Sequence, residues 1–196
     1  MSRERELFEI LLNQLAIEDP AILEVLGEAA IDKVEVYPER RQWHFHIRLP
    51  QRVHPDVYEL LIWSANTAFQ AICQVEIWWH HDQALPLEDR VVRDLWGLIQ
   101  DLVSADRPFL KACLSNCQLA YDQDQQILQI GLASPQQVAS FEGQYHDQFM
   151  MMLRQLDLDG IQLHYQVDQA LAQQEHLETR QRLEALDQLS IEEARK

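Results

Sequence analysis

The chain has 196 residues, 47% hydrophobic and 24% charged, a globular balance that suits one ordinary domain or two small ones. Acidic residues number 32 against 16 basic ones, a formal net charge of −16, which argues against a nucleic-acid duplex or an anionic membrane surface as the primary partner. Glycine occurs only 5 times, too sparsely for a phosphate cradle, a doubly wound nucleotide fold or a turn-rich all-β protein.

The first element is an amphipathic helix, with Leu7, Phe8, Leu11, Leu12 and Leu15 on one stripe. Its acids interrupt the apolar run, so it is no signal peptide, and no stretch approaches the roughly 18 apolar residues of a membrane span. Asp19-Pro20 restarts the chain: Asp19 is a good N-cap and Pro20 suits the first helical position. The period then changes to two. Val34 and Val36 alternate with Glu35, the turn Pro38-Glu39-Arg40-Arg41 reverses the chain, and Trp43, Phe45, Ile47 and Leu49 alternate with His44, His46 and Arg48. This is a hairpin with one apolar face, ended by Pro50. A helix follows from Pro55, with Val57, Leu61, Ala65, Ala68, Phe69 and Ile72 as its stripe. A third strand holds Val75-Glu76-Ile77-Trp78-Trp79. The polar run His80-His81-Asp82-Gln83 leads to Leu85-Pro86, a boundary between units.

The same order then recurs. Val91 to Leu102 make a helix, and Pro108 to Leu114 a shorter one. Leu119 and Tyr121 precede the turn Asp122-Gln123-Asp124-Gln125, and Leu128, Ile130 and Leu132 return. A long helix carries Val138, Phe141, Tyr145, Phe149, Met152, Leu153 and Leu156. A last strand has Ile161, Leu163, Tyr165 and Val167. An offset of 85 maps Pro50 to Pro135, Trp43 to Leu128 and Val34 to Leu119. In the last strand it drifts to 86, which takes Val75 to Ile161. The expected fold class is therefore α+β: residues 1–83 and 84–168 as two small modules of helix–helix–strand–strand–helix–strand order. Each has a three-stranded sheet with helices on one face, and 169–196 is a helical linker. One duplicated domain with a shared core is the alternative. The tail holds no clean heptad and ends in charged residues, as though the chain continued into more protein.

Three cysteines, Cys73, Cys113 and Cys117, are too few for a disulfide scaffold and point to a reducing cytosol. No G-x-S-x-G, H-E-x-x-H, P-loop or paired C-x-x-C is present. The run Asp157-Leu158-Asp159-Gly160 lacks the outer ligands of a calcium loop and reads as a tight turn. The informative residues lie on the first sheet. If Trp43, Phe45, Ile47, Val75, Ile77 and Trp79 face the helices, then Glu35, His44, His46, Arg48, Glu76, Trp78 and His80 share the open face. That face is a wetted sheet surface, a protein-contact face anchored by Trp78, or a His/Glu metal site whose geometry nothing fixes. The corresponding face of the second unit carries Gln118, Gln129, Gln162, His164 and Gln166. Met152 reads as core, with Met150 and Met151 at its margin. The only assembled basic patch is Arg40, Arg41, Arg48 and Arg52.

From Asp32-Lys33-Val34-Glu35-Val36 through Arg41-Gln42-Trp43-His44-Phe45-His46-Ile47-Arg48-Leu49-Pro50 the sequence resembles the N-terminal region of PolC-type bacterial DNA polymerase III alpha subunits. A W-x-F-H-ϕ-x-L-P strand is matched by Trp43, Phe45, His46, Leu49 and Pro50. The likeness runs from about residue 4 to 168. It implies a leading, non-catalytic region of a cytoplasmic replicative polymerase with a proofreading exonuclease, needing no cofactor or metal of its own. It also implies two modules, one related to the polymerase-binding domain of the clamp-loader tau subunit and one KH-like. The G-x-x-G clamp of nucleic-acid-binding KH domains is absent here. The expected role is docking to a replisome protein, the tau subunit first, through Trp78, His44, His46, Arg48, Glu76 and His80. The alternative is a single-stranded DNA contact through Arg40, Arg41 and Arg52.

Overall fold

The computed structural model describes residues 2–83 and 87–194. The boundary expected at Leu85-Pro86 lies outside the described residues. The chain is α+β and divides into two compact units: Met1–Ile99 with Met150–Gly160, and Gln100–Phe149 with Ile161–Lys196.

The first unit opens with α1 (Arg3–Gln14), whose Ser2 cap accepts the Arg5 N–H, and α2 (Pro20–Val25), capped by Asp19 through the Ala21 N–H at 2.9 Å. Strands β1 (Ala30–Tyr37) and β2 (Gln42–Leu49) form an antiparallel pair joined by a tight 3-10 turn, Pro38–Arg40. The helix α3 (Pro55–Phe69) crosses over to β3 (Gln74–His81), which lies parallel to β2, so the sheet order is β1-β2-β3. A parallel neighbour needs such a crossover, and α3 supplies it while covering one face. Phe8, Leu11 and Leu12 of α1, Val57, Tyr58, Leu61 and Ala65 of α3, and Phe45, Ile47, Val75, Ile77 and Trp79 of the sheet form the core. Arg5 fastens the segment after α2, donating to the carbonyls of Leu26 at 2.7 Å and Ala29 at 2.9 Å.

The expected alternation holds, but helix cover stops short of the hairpin end. Val34 and Val36 pair with Phe45 and Trp43, on the helix side as expected, yet are 41% and 52% exposed. They belong to an edge strand whose α1 contacts bury only its first residues, Ala30 and Ile31. Ala68, in the last turn of α3, and Ile72, which lies beyond that helix, are exposed too.

The order of elements then repeats along the chain. The helices α4 (Asp89–Ser104) and α5 (Pro108–Ser115) precede the antiparallel pair β4 (Gln118–Asp122) and β5 (Ile127–Leu132). The expected long helix is broken into α6 (Pro135–Ser140), a π-helical turn (Phe141–Tyr145) and α7 (His146–Gln155). The strand β6 (Gln162–Val167) then lies parallel to β5, and α8 (Gln169–Ala194) follows. Strand pairing corrects the end of the repeat. Trp43 faces Val75 in one sheet and Leu128 faces Leu163 in the other, so Val75 corresponds to Leu163, two residues beyond Ile161. Slippage by two leaves every side chain on its face, which is why periodicity alone missed it. Met152 is half-buried; Phe149 and Leu153 hold the core positions beside it. Among the described residues no helix is long and apolar enough to cross a membrane.

Candidate functional site

Alternation along β1, β2 and β3 places Glu35, His44, His46, Arg48, Glu76, Trp78 and His80 on the sheet face away from α3, and the register sets them side by side. Glu35 lies opposite His44, which lies opposite Glu76; His46 lies opposite Trp78, and Arg48 opposite His80. Lys33 donates to Glu35 at 2.7 Å, Glu35 Oε2 lies 3.1 Å from His46 Nε2, and His46 Nδ1 lies 3.1 Å from His80 Nε2. The imidazoles of His46 and His80 are stacked at 5.4 Å, and His46 is stacked on Trp78 at 6.0 Å. With His46 neutral, the chain of bonds assigns the proton to its Nε2 and leaves Nδ1 to accept from His80. Arg48 pairs at the exposed margin with Asp32 at 3.1 Å.

Glu76 accepts hydrogen bonds from the side-chain amides of Gln42 and of Gln155, the latter at 3.1 Å. His44 Nε2 lies 3.2 Å from Glu76 Oε2 but out of line, so that nitrogen is buried without a hydrogen bond. The Trp78 ring is half-buried against His44 and His46, and its indole N–H finds no acceptor among the described residues. Burial holds the His46 pKa below its usual value, against the opposing pull of Glu35. The Glu35 carboxyl is held down to about 2, first by the Lys33 hydrogen bond and then by His46. The carboxylates are committed to bases and amides, and Ser, Thr and Cys are absent from the cluster. The arrangement offers hydrogen bonds and stacked rings to a partner surface. Among the described residues no three His, Cys, Asp or Glu side chains are placed to hold a metal ion.

The basic residues are not brought together. Arg40 and Arg41 precede β2 and Arg52 follows it, so the length of that strand separates them. Arg41 donates to the carbonyls of Ala71 and Ile72. Arg52 donates to those of Leu156 at 3.0 Å and Asp157 at 2.7 Å. Arg40 is exposed, and its guanidinium bonds to no other described residue.

Sequence reasoning missed a second polar cluster. His81, placed in a linker by its polarity, ends β3 with its side chain 1% exposed. Its Nδ1 lies 2.9 Å from Asp157 Oδ2 and its Nε2 lies 2.8 Å from the Tyr58 hydroxyl, which also accepts the Val53 N–H at 3.2 Å. Asp157 stands at φ 59 in the turn the sequence did indicate. Continuation of the β3 alternation beyond Trp79 was the available signal, since it puts His81 on the buried side.

Residues 7–79 match the family model described as DNA polymerase III polC-type N-terminus I. A DNA polymerase III PolC-type of Halalkalibacterium halodurans is 27% identical over 128 residues, 65% of this chain and 9% of the relative. That of Bacillus cereus is 26% identical over 103 residues, 53% of this chain and 7% of the relative. That of Staphylococcus aureus is 31% identical over 72 residues, 37% of this chain and 5% of the relative. The chain thus spans less than a tenth of the length of these curated relatives. The family match covers the hairpin, the crossover helix and most of β3 as folded here, and over that stretch the chain is similar to the N-terminal region of PolC-type DNA polymerase III.

Proposed function

We propose that the chain is a non-catalytic interaction region of a cytoplasmic replicative polymerase, with DNA synthesis and proofreading carried elsewhere in a longer protein. Its open first-sheet face docks the polymerase to another replisome protein, the clamp-loader tau subunit being the first candidate. The observation that carries this reading is Trp78: an aromatic ring half-exposed on a polar sheet face, framed by His44 and His46, with Arg48, Glu76 and His80 around it. Aromatic anchors within a polar rim are the pattern of interface hot spots. The alternative, a single-stranded DNA contact through Arg40, Arg41 and Arg52, draws support from the free Arg40 guanidinium. It is the weaker reading because Arg41 and Arg52 already serve backbone carbonyls.

The test is a titration of the chain with the tau subunit at low and high salt, beside Trp78→Ala and the exposed-site variant His80→Asp. Docking through apolar and ring contacts changes little with salt, and each substitution weakens it by about tenfold, 1.4 kcal/mol. Absence of binding at either salt overturns the assignment to tau. Binding of single-stranded DNA that falls steeply with salt favours the alternative.

A further inference from the structure

The two edges of the first sheet are treated differently. On the outer edge of β3, Asn66 from α3 donates to the Val75 carbonyl and accepts the Val75 N–H, both at 3.0 Å. At the other end, Asp157 accepts the His81 N–H at 3.0 Å. Side chains thus occupy groups at both ends of the row with which another strand would pair. The outer edge of β1 has no such cover: among the described residues its backbone bonds only to β2. A register shift between Ile31 and Lys33 disturbs the start of β1, which leaves Lys33–Tyr37 as regular strand. Along it Val34, Val36 and Tyr37 are 41%, 52% and 38% exposed.

We propose that β1 receives, as a fourth strand, an extended segment of a basic partner protein. Three complementarities define that occupant. Unpaired N–H and C=O groups along the edge call for an extended main chain. Val34 and Val36, two residues apart on one face, call for apolar side chains at alternate positions. A net charge of −16 draws a cationic partner and repels a second copy of the chain. This surface is distinct from the Trp78 face and does not depend on the docking reading.

The probe is a synthetic peptide of alternating valine and lysine, compared with the same peptide N-methylated on alternate amides. Hydrogen exchange on the full chain should show slowed amides in Lys33–Tyr37 with the first peptide only. Val36→Asp, on the surface and compatible with the fold, should weaken binding by about tenfold. Trp78→Ala should leave it unchanged. Equal binding of the two peptides, or exchange unaltered in β1, overturns the proposal. So does self-association of the chain that Val36→Asp abolishes, because the occupant is then a second copy.

Discussion

A histidine buried between a carboxylate and a phenol is held to one protonation state. In His81 the neutral ring satisfies both neighbours: Nδ1–H donates to Asp157 and Nε2 accepts the Tyr58 proton, which burial keeps on the phenol by raising its pKa. A second ring proton would point Nε2–H at a hydroxyl that already accepts from Val53. Burial holds the His81 pKa below 6.5, Asp157 opposes that shift, and the Arg52 charge adds to it. The sign of the linkage follows. Below pH 6.5 the unfolded chain takes up a proton that the folded chain refuses, so stability is present above that pH and falls as pH drops. His46 is shifted the same way. Glu35, held to about 2, adds a loss only below its ordinary 4.5, so pH 7.5 to 5.5 isolates the histidines. The urea midpoint should fall across that window. His81→Gln should be less stable at pH 7.5 by about 1–3 kcal/mol, the cost of leaving buried partners unpaired, and its midpoint should depend less on pH. An unchanged wild-type midpoint between the two values would show that neither histidine resists protonation on folding.

At the level of elements, the turns bear the mark of a glycine-poor chain. The non-glycine residues at positive φ are Ala16, Arg41, Gln126 and Asp157, and among the described residues no glycine shares that conformation. Arg41 and Asp157 have reasons to stay, since Arg41 holds the turn after α3 and Asp157 holds His81. Gln126 is exposed at φ 55, and its contribution is a backbone carbonyl that accepts the Gln162 N–H at 2.9 Å. Glycine keeps that carbonyl and removes the left-handed penalty, so Gln126→Gly should stabilise the chain by about 0.5–1 kcal/mol in urea unfolding. Destabilisation would mean that the Gln126 side chain makes a contact worth more than the strain. Strands and caps were legible because their signals are local: period two for the hairpin, Asp19 before Pro20 for α2. The shared face of Glu35, His44, His46, Glu76 and Trp78 followed from alternation. The exposure of Val34 and Val36 did not, because periodicity names a face but not what covers it. Nor did His81 with Asp157, since 76 residues separate them and only the tertiary fold brings them together.

For the whole molecule the dominant fact is charge. The i,i+4 ion pairs Arg5–Glu9, Arg90–Asp94, Arg93–Asp89 and Arg180–Glu184 lie on helix surfaces. Such pairs are worth only about 0.3–0.5 kcal/mol each. With 32 acids against 16 bases, many carboxylates have no cation to meet, and their mutual repulsion is stronger in the compact state than in the extended chain. Salt acts on both effects, but repulsion among many acids is the longer-ranged and is screened once the Debye length shrinks from about 30 Å at 0.01 M to about 8 Å at 0.15 M. The unfolding temperature should therefore rise over that range of sodium chloride at pH 7.5. Sodium sulfate at equal ionic strength should raise it further, because sulfate also strengthens apolar burial. A fall in the unfolding temperature would mean that the surface ion pairs outweigh the excess of acids. The same screening should slow association with a cationic partner, so a rise in stability together with slower peptide capture by β1 would trace both effects to one field.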